Sequence, residues 1–245
     1  MLYDRIGASY NTTRREDPRI AALIVEALGD ARSVVNVGAG TGAYEPTDRD
    51  VVAIEPSAKM IAQRAWNAAR AIRASAEQIP LADRSVDAAM AVNTLQHWTD
   101  VRAGLRELRR IARKRIVIFL RHGEVGTPFW LFDEYFPSID RSRRISTIVS
   151  VIHEELPSVT ARTVLFPCDC SDGVGTAYWN RPEMYLDEEV RKNISNFAMA
   201  DRAEIEKGVE RLRSDLASGK WDRRHGHLRA MNAIDLGHRI LIAEL

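Results

Sequence analysis

The tightest constraint on this chain is a glycine-rich turn caught between two short apolar runs. Ser33-Val34-Val35-Asn36-Val37 leads straight into Gly38-Ala39-Gly40-Thr41-Gly42, and Val51-Val52-Ala53-Ile54 ends at Glu55. A short β-branched run of this kind reads as a strand buried in a parallel sheet. Glycines at alternate positions let the backbone turn sharply and bring its N–H groups close to a ligand, with no Cβ in the way. A carboxylate at the tip of the next strand can accept both hydroxyls of a ribose. Strand, glycine turn, strand and carboxylate together predict an α/β sheet that holds an adenosine-containing cofactor at its carboxyl edge.

Two cofactor classes share that geometry. Gly38, Gly40 and Ala43 also satisfy G-x-G-x-x-A, the fingerprint of dinucleotide sites. S-adenosylmethionine is the other. Later segments separate them. VVNVGAGTGAYE followed by VVAIEPSAKMI resembles the first two motifs of class I S-adenosylmethionine-dependent methyltransferases, in the broad small-molecule "type 11" group. SAEQIPLADRSVDAAMAVNTLQHW resembles that group's third and fourth motifs, in order and at the usual spacing. The resemblance covers Tyr3 to Leu120, and the later motifs do not fit a dehydrogenase. It implies an α/β fold with a doubly wound, seven-stranded, Rossmann-like sheet, S-adenosylmethionine as methyl donor and S-adenosylhomocysteine as product.

The resemblance also distributes roles. Gly38, Ala39, Gly40, Glu55 and Pro56 are expected along the cofactor, Ala76 and Glu77 at its adenine end, and Asn93 and Thr94 beside its methionine. Tyr10 and Arg14 form the Y-x-x-x-R that relatives place as a lid over the methionine end. Two positions depart from the family pattern: Asn36 and Ser75 stand where relatives often carry acidic residues. Adenine recognition then falls to the backbone N–H of Ala76 and to Glu77 or Ser75. For Glu77, a charge at a helix N-terminus is an equal alternative.

The remaining elements follow from pattern. Asp17-Pro18 opens a helix with Ile20, Leu23, Ile24, Ala27 and Leu28 on its apolar face, closed by Gly29. Only Ala43 to Asp50, with Pro46 among them, separate the glycine turn from the second strand, so the usual first crossover helix is very short or lost. A helix is expected from Pro56-Ser57 to about Ala69, and strands over 71–74, 85–92, 115–120, 161–168 and 237–245. An arginine-rich amphipathic helix over 100–112 and a second helix over 144–156 complete the core. The long segment between the last two strands predicts an inserted helical cap in place of a tight turn. The whole chain, 1–245, reads as a single domain, with 121–160 and 171–236 as substrate-covering insertions.

Composition narrows the partners. With 245 residues, 28% charged and a net charge of +1, nothing points to a nucleic-acid surface. No apolar run reaches the roughly 20 residues of a membrane span, and the first residues lack the apolar core of a signal peptide. The expected setting is the cytoplasm. Cys168 and Cys170 are poorly spaced for a disulfide, and no metal cluster accompanies them. They read as packed thiols.

The expected chemistry is methyl transfer to a small organic molecule, on oxygen or nitrogen. His97, Asp169 and Asp172 are the candidate general bases. Trp130, Tyr135, Tyr178 and Trp179, with Asp172, are expected to wall an acceptor pocket floored by His97, apolar with a few acidic groups. Their opposing fate is the core, where aromatics at helical spacing usually go. A carboxylate O-methyltransferase is the first alternative and would draw on Arg121, His122 and Arg181. The other is a degenerate, regulatory S-adenosylmethionine-binding protein, because Asn36 and Ser75 remove two carboxylates. Oligomeric state is not legible.

Overall fold

Asp17 caps the first helix as its sequence requires, its carboxylate accepting from Arg19 N, and Gly29 ends that helix at φ +57°. The computed structural model describes residues 15–139, 142–156 and 158–245. In chain order come α1 (Pro18–Leu28), β1 (Ser33–Val37), β2 (Asp50–Ile54), α2 (Ala58–Ala62), β3 (Arg70–Ile72), β4 (Val86–Val92), α3 (Val101–Ile111), β5 (Ala112–Arg121), α4 (Ser142–Glu155) and β6 (Thr160–Thr163). After them come β7 (Phe166–Pro167), α5 (Glu188–Lys192), α6 (Ser195–Ala198), α7 (Arg202–Ala217), α8 (Lys220–His225), β8 (Ala233–Ile234) and β9 (His238–Glu244). Among the described residues the main sheet has seven strands in the order β3-β2-β1-β4-β5-β9-β6. β1 to β5 run parallel, and β9 is antiparallel to both β5 and β6.

Both faces of the sheet are covered, which is why its central strands are apolar on both sides. Val34, Ala88, Met90 and Phe119 pack toward α1 and the aromatic residues beyond β5. Val35, Val37, Ala89, Ala91 and Ile118 pack toward α3 and α4. Arginines 102 and 106 of α3 stay largely exposed and pair with Glu154 and Glu155 of α4, contacts of small energetic weight at a surface.

The first crossover carries no helix: the described residues 38–49 form turns. A buried ion pair holds this short connection instead. Arg64 Nη2 lies 2.6 Å from Glu45 Oε2, and Arg64 Nη1 donates to Gly40 O at 3.1 Å, so the pair braces the glycine turn. α2 stops at Ala62, seven residues before its expected end, because Arg64 also donates to Ala69 O and folds residues 63–69 back toward β3.

A further expectation changes. The run over 161–168 is one extended segment shared between two sheets: β6 pairs with β9, then β7 pairs with β8. The aromatic stretch after β5 makes a single π-helical turn, Leu131–Tyr135, with Phe136 N donating to Leu131 O. Both cysteines are free, and burial pushes the Cys170 thiol up to about 12. Among the described residues no helix is long and apolar enough to cross a membrane.

Candidate active site

The glycine turn crosses the tip of β2. Gly38 N and Ala39 N both donate to Ile54 O, at 2.8 and 3.1 Å. The next residue of β2's chain, Glu55, is 5% exposed, and its carboxylate accepts from Gly40 N and Ser57 N, each at 2.8 Å. Two backbone amides therefore fix the carboxylate before any ligand arrives. On the other side of the turn, β4 delivers Asn93 at φ +50°, a left-handed conformation rare outside glycine and a form of strain found at functional sites. Asn93 N extends the ladder to Phe119 O at 2.7 Å, and its own carbonyl accepts from Gln96 Nε2 at 2.7 Å. Its Nδ2 is buried without a hydrogen-bond partner.

These elements line a cleft. Of the residues expected along the cofactor, Gly38, Ala39, Gly40, Glu55, Pro56, Asn93 and Thr94 line it, together with His97. Asn36, Tyr44 and Met60 line it too. Asn36 Nδ2 donates to Glu45 Oε1 at 3.2 Å, while its buried Oδ1 has no partner. An orphaned acceptor at Asn36, an orphaned donor at Asn93 and a fixed carboxylate at Glu55 fit a polar ligand lying along the whole cleft.

Ala76 and Glu77 are not in its wall. Glu77 Oε1 accepts from Thr99 N at 2.8 Å and Asp100 N at 3.1 Å, at the entry to α3, so this side chain caps a helix. Tyr10 and Arg14 lie outside the described residues.

A second cavity adjoins the first, and the two share Asn93 and His97. Its walls come from seven places: Asn93 to His97 after β4, Arg121 at the end of β5, Phe132, Ile145, the segments 174–176 and 193–199, and His238 at the start of β9. Gln96 Nε2 lies 3.2 Å from His97 Nε2. The same amide nitrogen donates to Asn93 O, so it is a donor to His97, and it engages the imidazole lone pair on Nε2.

The aromatic residues expected to wall the acceptor pocket line neither of these cavities; Trp130 and Trp179 border a separate one with Asp133 and Glu134. Trp130, Tyr135, Tyr178 and Trp179 are buried in the core beyond β5. Trp130 packs edge-on against Tyr185 and Trp221, at 5.8 and 5.2 Å between ring centres. Its Nε1 donates to Trp179 O, Trp179 Nε1 to Pro167 O and Tyr135 OH to Asp215, so each polar atom is satisfied inside the core. Asp169 is also elsewhere: its exposed carboxylate pairs with Arg19. Asp172 is buried behind the cofactor cleft, where Tyr44 OH donates to it at 2.9 Å. No Asp or Glu lines the second cavity among the described residues, against the expectation of acidic groups there.

Sequence reasoning missed Tyr44 and His238. Tyr44 OH accepts from Asp17 N at 3.3 Å while donating to Asp172. One hydroxyl thus ties the glycine turn to α1 and to the segment after β7. Tyr44→Phe is expected to lower stability by about 1–3 kcal/mol, because it leaves a buried amide and a buried carboxylate each short of a bond. Urea denaturation measures this, and an unchanged midpoint would show that the hydroxyl is not a tie.

His238 Nε2 lies 2.8 Å from Thr176 Oγ1, and its ring stacks on Phe166 at 4.0 Å and faces Phe119. Burial, then the positive charges of Arg121 and Arg239, depress its pKa well below the usual range; Asp235 opposes weakly. The folded protein therefore refuses a proton that the unfolded chain takes up below about pH 6.5. Stability contributed by this site is complete above that pH and falls as pH drops toward the folded value, at most roughly 1.4 kcal/mol per unit. Unfolding free energies measured from about pH 5 to 8 should show that slope, and His238→Phe should flatten it.

Comparison with known proteins agrees with this geometry. The family model described as "Methyltransferase domain" matches residues 35–120. An uncharacterised methyltransferase of Mycobacterium tuberculosis (strain H37Rv) is 37% identical over 89 residues, 34% of this chain. The match spans only 36% of that relative's length. A phosphoethanolamine N-methyltransferase of Haemonchus contortus, solved with S-adenosylhomocysteine, shares the fold at TM-score 0.51 and 14% identity, over 92% of this chain and 52% of its own. A candidate methyltransferase from an antibiotic biosynthesis pathway of Anabaena variabilis superposes with TM-score 0.87 and 32% identity, covering 95% of this chain and 99% of that one. That likeness runs far past the glycine turn, through the segments that build the second cavity as well, and it makes this chain a member of the class I S-adenosylmethionine-dependent methyltransferases.

Proposed function

We propose that this methyltransferase acts on a small organic molecule, at oxygen or nitrogen, held in the second cavity. The meeting of the two cavities at Asn93 and His97 carries the reading. A ligand in each would come together there and nowhere else along the walls. S-adenosylmethionine supplies, when bound, a methyl group on a sulfonium already primed for attack.

The chain's own residues bind, orient and exclude water. Glu55 accepts from the ribose hydroxyls, and the turn Gly38–Gly40 brings backbone N–H groups close. Asn36 offers its free carboxamide oxygen to a donor on the cofactor, and Asn93 presents an N–H at the junction. Phe132, Ile194 and Met199 keep the acceptor side dry. His97 orients the acceptor, since its lone pair is already engaged by Gln96. The segments 121–160 and 171–236 act as substrate-covering insertions on this reading, and residues from both line the cavity. The near-neutral net charge supports a small partner over a nucleic acid. The Anabaena relative, named for an antibiotic biosynthesis pathway, supports a place in specialised metabolism.

Calorimetry with S-adenosylmethionine, S-adenosylhomocysteine and NAD tests the cofactor half: the first two should bind and NAD should not. The acceptor half is tested with methyl-labelled cofactor and separate small-molecule, protein and nucleic-acid fractions of a cell extract. Label in the small-molecule fraction is expected. Label confined to protein or nucleic acid would overturn the reading.

A further inference from the structure

We infer that Gln96 is a positioning residue whose one side-chain NH₂ group holds the strained turn at Asn93 and sets the tautomer of His97, with the imidazole proton on Nδ1. The consequence for the reaction rests on the second cavity being the acceptor site; the tautomer does not. Gln96 sits in the short 3₁₀ turn Leu95–His97 that follows β4. Its Nε2 lies 2.7 Å from Asn93 O and 3.2 Å from His97 Nε2. The Asn93 carbonyl decides which way the amide faces, because a carbonyl oxygen only accepts. A flipped amide would set two acceptor oxygens 2.7 Å apart. Toward His97 the amide nitrogen can again only donate. His97 Nε2 must then carry a lone pair, and a neutral imidazole with a bare Nε2 has its proton on Nδ1. Other contacts of the ring do not alter this, since the atom facing Gln96 cannot hold the one proton. Free neutral histidine in water favours the opposite tautomer.

The two bonds act together. Asn93 stands at φ +50°, a conformation that persists only where its surroundings over-determine it. Its N–H donates to Phe119 O at 2.7 Å and its carbonyl accepts from Gln96, so it is pinned on both sides. Asn93 and His97 line both cavities, whereas Gln96 lines only the second of them. One amide thus ties a residue of the cofactor cleft to the ring at the junction. An acceptor cannot pass a proton to His97 Nε2 without breaking the bond from Gln96. Among the described residues the other titratable groups of that wall are Arg121 and His238, and burial with the charges of Arg121 and Arg239 keeps His238 neutral. His97 therefore orients the acceptor and does not deprotonate it through Nε2.

Long-range proton–nitrogen NMR of the imidazole rings tests the tautomer in the free protein, at about pH 8.5, above the ordinary histidine range. The His97 signals are assigned by their loss in His97→Gln. In the parent, Nε2 should resonate as a bare nitrogen and Nδ1 as a protonated one. Gln96→Leu removes both bonds, and the pattern should move to that of free histidine, with Nε2 protonated in the larger share of molecules. Gln96→Glu sets a carboxylate against Nε2 and should draw the proton there more fully. A residue that only fills space would leave the tautomer unchanged in both variants. His97 protonated on Nε2 in the parent, or the parent pattern surviving in a folded Gln96→Leu, would overturn the inference. If the leucine variant does not fold, the parent spectrum and the glutamate variant decide. Failure of the wider reading is seen separately, as a protein whose Gln96 sets the Nδ1–H tautomer but which labels no small molecule.

Discussion

Glu55→Ala is expected to weaken binding of S-adenosylmethionine and S-adenosylhomocysteine by roughly tenfold to a hundredfold. The charge-assisted hydrogen bonds it would make to a ribose are worth about 1.5–3 kcal/mol, and among the described residues no other acid lines the cofactor cleft. The effect should reach the upper end of that range because the carboxylate is fixed in advance. Gly40 N and Ser57 N hold its two oxygens, so binding does not have to order it. The same bonds mean the substitution leaves two backbone amides unpaired and loosens the glycine turn. Glu55→Gln separates the contributions. It keeps the volume but must turn an NH₂ group toward one of those amides, so it should lose affinity nearly as fully while disturbing packing less. Calorimetry gives the affinities, and circular dichroism shows whether the sheet is intact. An intact alanine variant that binds the cofactor as tightly as the parent would mean that the ribose is held elsewhere.

The cofactor half of the site was legible because the chain encodes it locally. The glycine turn, the carboxylate at the tip of β2 and Asn93 after β4 each lie within a few residues of a strand end, and parallel pairing carries all of them to one edge. The loss of the first crossover helix was legible for the same reason, from eight residues and a proline. The acceptor half was not. Trp130 and Trp179 present the same pattern whichever cavity they border, and their burial is decided by partners such as Trp221 that lie far along the chain. The cavity that does form draws on segments from 93 to 238. One signal was available for His238. The last strand runs antiparallel to β5, so its first residue must pair with the last of β5, and it does: Arg121 is opposite His238. For Glu77 the sequence left two readings open, and the carboxylate lies at the helix start, accepting from Thr99 N and Asp100 N.

Gly38→Ala is expected to be strongly destabilising and to abolish cofactor binding. Gly38 sits at φ +73°, where a residue with a Cβ loses about 1–2 kcal/mol. A Cβ built there falls 2.0 Å from Thr94 Oγ1, 2.8 Å from its Cβ and 2.9 Å from its Cγ2. Thr94 is 8% exposed and follows the strained Asn93, so it has little room to move. Overpacking of this kind costs about a further 1–3 kcal/mol. The sum, roughly 2–5 kcal/mol, corresponds to a fall in Tm of about 5–15 °C for a chain of this size, and cofactor binding should be lost because the turn and Asn93 are pushed apart. Thr94→Gly removes every atom that the new methyl strikes. In the double variant Gly38→Ala with Thr94→Gly the clash should vanish and the backbone cost should remain, giving a coupling energy of about 1–3 kcal/mol in the favourable direction. Thermal melts of the four proteins close the cycle. Additive losses would mean that the turn relaxes away from Thr94, and that the close approach of the glycine turn to the end of β4 is not what sets the width of the cofactor cleft.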